Sequence, residues 1–295
     1  MEVLVFGAGS LGSLVGGLLA RTHHVTLVGR DPHVSAVAAD GLRVEGELDA
    51  AVTPAAATTV PARSFDLALV TVKAGNTDAA AAALADADVD ATLSLQNGLG
   101  NEERLAAALS GPVLAGTCTY GARLVEPGRV VCTGVGDVVL GAREGGTSST
   151  AESVGAAFAA AGVETTVATD MPRRLWAKLA VNAGINAVTA LARVENGALV
   201  DGPAAATARE AARETARVAP RSIDLPEDRA AESVADVAET TAPNTSSMYQ
   251  DVREGWPTEV DAINGAVVER ATEPVPVNET LTALVRAWER GRDLR

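Results

Sequence analysis

The sequence predicts an α/β domain followed by an all-helical one. The first half of the 295 residues alternates short apolar strands with Ala-rich helical stretches, the pattern of a parallel sheet covered by helices. Beyond about residue 170 the strand signal stops. Hydrophobic residues make up 47% of the chain, enough for a sizeable core, but aromatics only 3%, so Ala, Val and Leu must build it.

The elements follow in order. Glu2–Phe6 reads as a strand, Leu11–Ala20 as a helix and Val25–Val28 as a strand. Leu67–Val72 (LALVTV) is a buried strand, Ala79–Leu84 a helix and Thr92–Leu95 a strand. Glu102–Leu109 reads as a helix and Val113–Thr117 as a strand. In Arg129–Leu140 (RVVCTGVGDVVL) glycines punctuate short strands that are expected to be antiparallel. The loop Glu144–Thr150 precedes a helix at Ala151–Ala161. Pro172–Leu191 reads as a long helix, its proline suited to the first turn. Ala204–Val218, Pro226–Thr240, Thr258–Ala271 and Asn278–Glu289 read as further helices.

Gly7-Ala8-Gly9-Ser10-Leu11-Gly12 is a G-x-G-x-x-G run between the first strand and the first helix. The first glycine allows a tight turn, the second close approach of a pyrophosphate, and the third packs helix on strand. The helix N-terminus presents unpaired N–H groups and a positive dipole to phosphate. In this context the run marks a Rossmann dinucleotide-binding domain, expected over residues 1–168, with a helical substrate-binding domain over 169–295. The second strand ends at Val28-Gly29-Arg30. A carboxylate there would bind the ribose hydroxyls of NAD, whereas Arg30 can pair with a 2′-phosphate, so NADP(H) is favoured and NAD(H) is the second candidate. Asp31 is adjacent and keeps the hydroxyl role open. Lys73 follows the buried strand Leu67–Val72, and Asn97 follows the next, at the carboxyl ends where open α/β sheets bind ligands.

Within Leu175–Asn186, Lys178, Asn182 and Asn186 recur every four residues and share one helix face. An amine and two amides on an otherwise apolar helix suggest the wall of a polar cleft. Lys73 and Lys178 are the only lysines among 24 basic residues, so a titratable amine stands twice where arginine is used elsewhere. A third polar cluster, Asn244 to Asp251, is followed by Glu259 and Asn264. Periodicity does not interpret it; Ser246 or Ser247 could serve as a helix N-cap.

The net charge of −14 disfavours nucleic acid as a partner. Acidic residues in excess, with almost no lysine, are the composition expected of an acidic surface adapted to high salt. No apolar run reaches the roughly 18–20 residues of a membrane span, and no signal peptide is read. Two cysteines, Cys118 and Cys132, and three histidines, His23, His24 and His33, support neither a disulfide framework, nor a zinc site, nor a Ser–His–Asp triad. A cytoplasmic protein without metal is expected, and a homodimer is left open.

GAGSLG at the N-terminus, Val72-Lys73-Ala74, Gln96-Asn97-Gly98, LWAKLAVNAGINAVTAL at 175–191, and Ser246-Ser247-Met248 through Asp251, Thr258-Glu259 and Ile263-Asn264-Gly265 resemble, in this order, the ketopantoate reductase family. The resemblance spans nearly the whole chain. It implies NAD(P)H-dependent reduction of the 2-oxo acid 2-ketopantoate (2-dehydropantoate) to pantoate, on the pantothenate and coenzyme A route. It also implies Lys178 as general acid and Glu259 as the carboxylate that anchors substrate and orients Lys178. Asn182, Asn186, Asn244 and Ser247 resemble substrate-binding residues; Lys73, Asn97 and Ala122 resemble cofactor contacts. Gly75-Asn76 depart from the aromatic and glutamine found in many relatives. The alternatives are a reductase of another 2-oxo acid and a non-catalytic dinucleotide sensor.

Overall fold

The first strand, β1 (Glu2–Phe6), shows how the sheet is made. Val3 and Val5 pack into the hydrophobic cluster on one face and Leu4 into the cluster on the other. After Glu2 at the strand's start every residue is apolar, because both faces are covered, as a parallel sheet requires. The computed structural model describes all residues from Met1 to Arg295 and forms two compact units. The first comprises Met1–Gln96 and Gly100–Met171; the second, Asn97–Leu99 and Pro172–Arg295.

In the first unit, the strands after β1 are β2 (His24–Val28), β3 (Leu42–Gly46), β4 (Ala50–Val52), β5 (Ala55–Ala57), β6 (Leu67–Val70) and β7 (Thr92–Ser94). They are followed by β8 (Val113–Cys118), β9 (Gly121–Glu126), β10 (Arg129–Gly134), β11 (Val138–Ala142) and β12 (Thr165–Val167). Eight strands form one sheet in the order β12-β11-β8-β7-β6-β1-β2-β5. All its neighbours run parallel except β11 against β8. The smaller sheet has the order β4-β3-β10-β9. Helices α1 (Ser10–Leu19), α2 (His33–Asp40), α3 (Thr77–Ala85), α4 (Asn101–Ala108) and α5 (Ser149–Ala160) complete this unit. Leu14 and Leu18 of α1 and Val154 of α5 cover one face of the large sheet; Ala80 and Leu84 of α3 and Leu105 of α4 cover the other.

The second unit is helical: α6 (Met171–Ala192), α7 (Ala205–Val218), α8 (Glu227–Thr240), α9 (Ser247–Glu254), α10 (Asn264–Arg270) and α11 (Pro276–Arg290). Helix α6 is its core element, with Leu179, Ala183, Ile185 and Ala187 in the hydrophobic cluster. Gly184 lets α7 approach, since a β-carbon there would lie 2.6 Å from the Ala208 carbonyl oxygen. By length and mean hydropathy α6 could cross a membrane, which the residue-by-residue expectation missed because Lys178, Asn182 and Asn186 interrupt the run. Most of that apolar stretch is buried inside the protein.

The α/β and helical halves are as the sequence predicts. The glycine-punctuated strands are antiparallel in part: β10 to β9 and β11 to β8, whereas β10 runs parallel to β3. The helix expected over Thr258–Ala271 is a correction. Only Asn264–Arg270 is helical. In the preceding segment the Thr258 N–H is taken by Glu289, the Ala262 and Ile263 N–H groups close a single turn on the Glu259 carbonyl, and the Gly265 N–H then reaches back to the Val260 carbonyl, so the turn does not continue as a regular ladder.

Candidate active site

Three adjacent parallel strands of the first unit bring the expected cofactor residues to one edge. The order β6-β1-β2 sets Lys73, the glycine turn and Arg30 beyond the carboxyl ends of neighbouring strands. Gly7 has φ +114°, and a β-carbon there would lie 2.7 Å from the Val72 nitrogen. At Gly12 it would lie 2.2 Å from the Gly7 carbonyl oxygen, so α1 and the turn are in contact. At Gly9 the nearest atom would be 4.0 Å away. That open space is where a pyrophosphate can approach the backbone. Helix α1 has no side-chain N-cap and no acid in its first turn, so its leading amides remain available to an anion.

The neighbours of the turn are held firmly. The Gly7 and Ala8 N–H groups both donate to the Val28 carbonyl, and Thr71 Oγ1 donates to the Gly7 carbonyl at 2.8 Å. Ser10 Oγ accepts from the Leu124 N–H at 3.0 Å, which ties β9, and with it Ala122, to the start of α1. Gln96 Nε2 donates to the Val72 carbonyl at 3.0 Å, fixing the residue before Lys73. Lys73 precedes a short 3-10 helix over Ala74–Asn76, which includes the departing pair Gly75-Asn76. Arg30 is exposed, and Asp31 accepts a hydrogen bond from Ser35 Oγ.

In the second unit α6 gathers the remaining residues. Lys178 and Asn182 are half-buried and Asn186 is 6% exposed, so the polar stripe runs from the rim into the interior. The amides of Asn182 and Asn186 make no hydrogen bond within the protein. One turn beyond, Thr189 Oγ1 and Ser246 Oγ are 2.7 Å apart. Ser246 is the N-cap of α9, accepting from the Tyr249 N–H, which leaves Ser247 exposed as the first residue of that helix. Asn244, also exposed, is braced by the Asn196 N–H, which donates to its carbonyl at 2.9 Å.

The segment carrying Glu259 is fastened to α6 as well. Asn264 Nδ2 donates to the Ala183 carbonyl and to Asn278 Oδ1, both at 3.0 Å. Asn278 in turn donates to the buried Glu214. Asn97 Nδ2 donates to Glu259 Oε2 at 3.1 Å. Beside it, the Leu99 N–H donates to the Ala262 carbonyl. Gly98 allows this docking: its φ is +88°, and a β-carbon would lie 2.4 Å from that carbonyl oxygen.

A cavity of about 560 Å³ in this unit, lined among others by Arg193, Tyr249 and Arg253, includes none of Lys178, Asn182, Asn186 or Glu259.

The family model described as "Ketopantoate reductase PanE/ApbA" matches residues 3–145, and its C-terminal model matches residues 170–289. The 2-dehydropantoate 2-reductase of Halobacterium salinarum is 44% identical over 98% of this chain and 99% of its own length. The chain belongs to the ketopantoate reductase family.

A crystal structure of a PanE/ApbA family ketopantoate reductase from Ralstonia eutropha is 35% identical, with a TM-score of 0.90 over 99% of this chain and all of the other. A D-mandelate dehydrogenase, crystallised with NADH and anilino(oxo)acetate, has a TM-score of 0.93 over the whole of both chains at 24% identity, a likeness of fold. In this ketopantoate reductase fold, sequence reasoning picks out the α6 stripe, but neither Thr189 nor Asn196. Thr189 looks like one more helix threonine until the fold brings Ser246 to it. Asn196 follows the end of α6, where no periodicity marks it.

Proposed function

We propose that this chain reduces 2-ketopantoate to pantoate, using NADPH ahead of NADH. The observation that carries the reading is the α6 stripe, where one lysine is followed by two amides without partners inside the protein. Their amide atoms are unpaired yet not sealed from solvent, so they are available to a polar ligand. Residues 1–168 hold the dinucleotide in this reading, through Gly7 to Gly12, Arg30, Lys73 and Ala122, with Asn97 contributing from the segment beside Glu259. Residues 169–295 hold the substrate.

When bound, the nicotinamide supplies the hydride that reduces the C2 carbonyl. Lys178 donates its Nζ proton to the carbonyl oxygen as that oxygen becomes an alkoxide, and its charge stabilises the developing anion. Asn182, Asn186, Asn244 and Ser247 orient the carboxylate and hydroxyl of the substrate. Glu259 anchors the substrate and orients Lys178. The enzyme is read as cytoplasmic; both cysteines are free thiols.

The test is the loss of reduced-nicotinamide absorbance with 2-ketopantoate and a panel of other 2-oxo acids. Preference for another acid would move the substrate assignment; no turnover with any would favour a dinucleotide sensor. Lys178→Ala is expected to bind NADPH normally and lose about 100-fold or more in kcat. Full activity in that variant would remove Lys178 from the mechanism.

A further inference from the structure

Glu289, on α11, lies 30 positions after Glu259 in the chain. It is 2% exposed. Its Oε1 accepts from the Thr258 N–H at 2.8 Å and from Thr258 Oγ1 at 2.7 Å. Its Oε2 accepts from Arg295 Nε at 2.9 Å. Arg295 also pairs with Asp261, which Arg286 holds from the other side at 2.7 Å. Thr258 and Asp261 flank Glu259. One buried carboxylate therefore grips the residue before Glu259 directly and, through Arg295, the residue two positions after it.

Taking a carboxylate out of water is costly. A loop that needed only to be covered could be packed with apolar side chains. The bonds of Glu289 are instead directed at the backbone and hydroxyl of Thr258, where they fix the direction in which the chain enters Glu259. The Ala262 and Ile263 N–H groups then close on the Glu259 carbonyl at 3.1 Å, and Asn264 seals the segment against α6. Glu259 thus sits in a short arch clamped at both ends.

We propose that Glu289 is a positioning residue for substrate binding, acting through Thr258 to set the Glu259 carboxylate relative to the α6 stripe. The proposal rests on the reductase reading, with Glu259 as substrate anchor. The full chain is compared with Glu289→Gln, Thr258→Val and Thr258→Ser. Glu289→Gln and Thr258→Val are expected to raise KM for 2-ketopantoate about 10-fold, the effect of one lost hydrogen bond to a charged group, with KM for NADPH unchanged. Thr258→Ser keeps the hydroxyl and is expected to stay within about twofold of the parent, by the same hydrogen-bond argument.

Hydrogen exchange gives a readout apart from activity. Amides of residues 258–264 are expected to exchange faster in Thr258→Val than in Thr258→Ser, with α11 unchanged. Folded variants with parental KM, or Ser no better than Val, would overturn the proposal. If Glu289→Gln fails to fold, the Thr258 pair decides alone. If the parent turns over no 2-oxo acid, the reductase reading falls, and the exchange of residues 258–264 still decides whether Glu289 holds the arch.

Discussion

Arg30 and Asp31 follow β2 side by side, and the fold treats them differently. Ser35 Oγ donates to one oxygen of the Asp31 carboxylate, while Arg30 is exposed at the strand end nearest the glycine turn. An exposed guanidinium at this strand end suits a 2′-phosphate better than ribose hydroxyls. Arg30→Glu is expected to shift the ratio of kcat/KM from NADPH toward NADH by about 10-fold or more, since one lost ion pair and one new repulsion both act on the phosphate. An unchanged ratio would make Arg30 an ordinary surface residue. Glu259 is the second residue whose role separates from its surroundings, because Asn97 selects one of its oxygens. Glu259→Gln keeps the shape and removes the charge. KM for the oxo acid should rise by about 10-fold, and, with Glu259 orienting Lys178 as proposed, activity should fail at lower pH on the basic side, because an ammonium deprived of a carboxylate neighbour gives up its proton more readily. Parental KM and an unmoved basic limb would return Glu259 to the acidic surface.

At the scale of elements, the three-residue strands β4 and β5 and the helix α2 were illegible because Ala-rich runs carry neither period strongly. Helix α6 was legible because its apolar positions continue for five turns and its polar interruptions keep one face. Glu259 and Ser247 were legible only through the family likeness, since their positions depend on Asn264 and Ser246 meeting α6 from far along the chain. His33 shows the same limit in the first unit. Its ring bridges α1, the start of α2 and the β9–β10 turn. The Gly128 N–H donates to Nδ1 at 3.1 Å, which leaves Nε2–H to donate to Ser13 Oγ at 2.9 Å. Both nitrogens are committed to the neutral ring, and burial pushes the imidazole below its ordinary range. A group whose folded pKa is depressed binds fewer protons folded than unfolded, so its contribution is present above the unfolded value and lost as pH falls from about 6.5. Unfolding free energy measured across that window is expected to fall with pH by at most about 1.4 kcal/mol per unit from this residue. His33→Gln should flatten the slope; an identical slope would mean that other groups set it.

For the whole molecule, charge is the dominant long-range term. A net charge of −14 repels itself in the folded state, and screening by salt should relieve that repulsion. Opposing this are exposed ion pairs such as Arg104–Asp78 at 2.6 Å and Arg129–Glu126 at 2.6 Å, which salt weakens. Pairs of this kind are worth roughly 0.2–1 kcal/mol each, and many contribute nothing measurable. The unpaired excess of acids should win. The melting temperature is therefore expected to rise from low to molar KCl by several degrees, at about 2–4 °C per kcal/mol for a chain of this size class. Chloride salts of potassium and sodium should act alike if screening is the cause. A sign test separates the two electrostatic terms: substituting an exposed acid that pairs with no arginine, such as Glu273, by Gln should raise stability at low salt and narrow the gain from KCl. A melting temperature that falls as salt is added would mean that the ion pairs outweigh the net repulsion, and the acidic composition would then need an explanation other than screening.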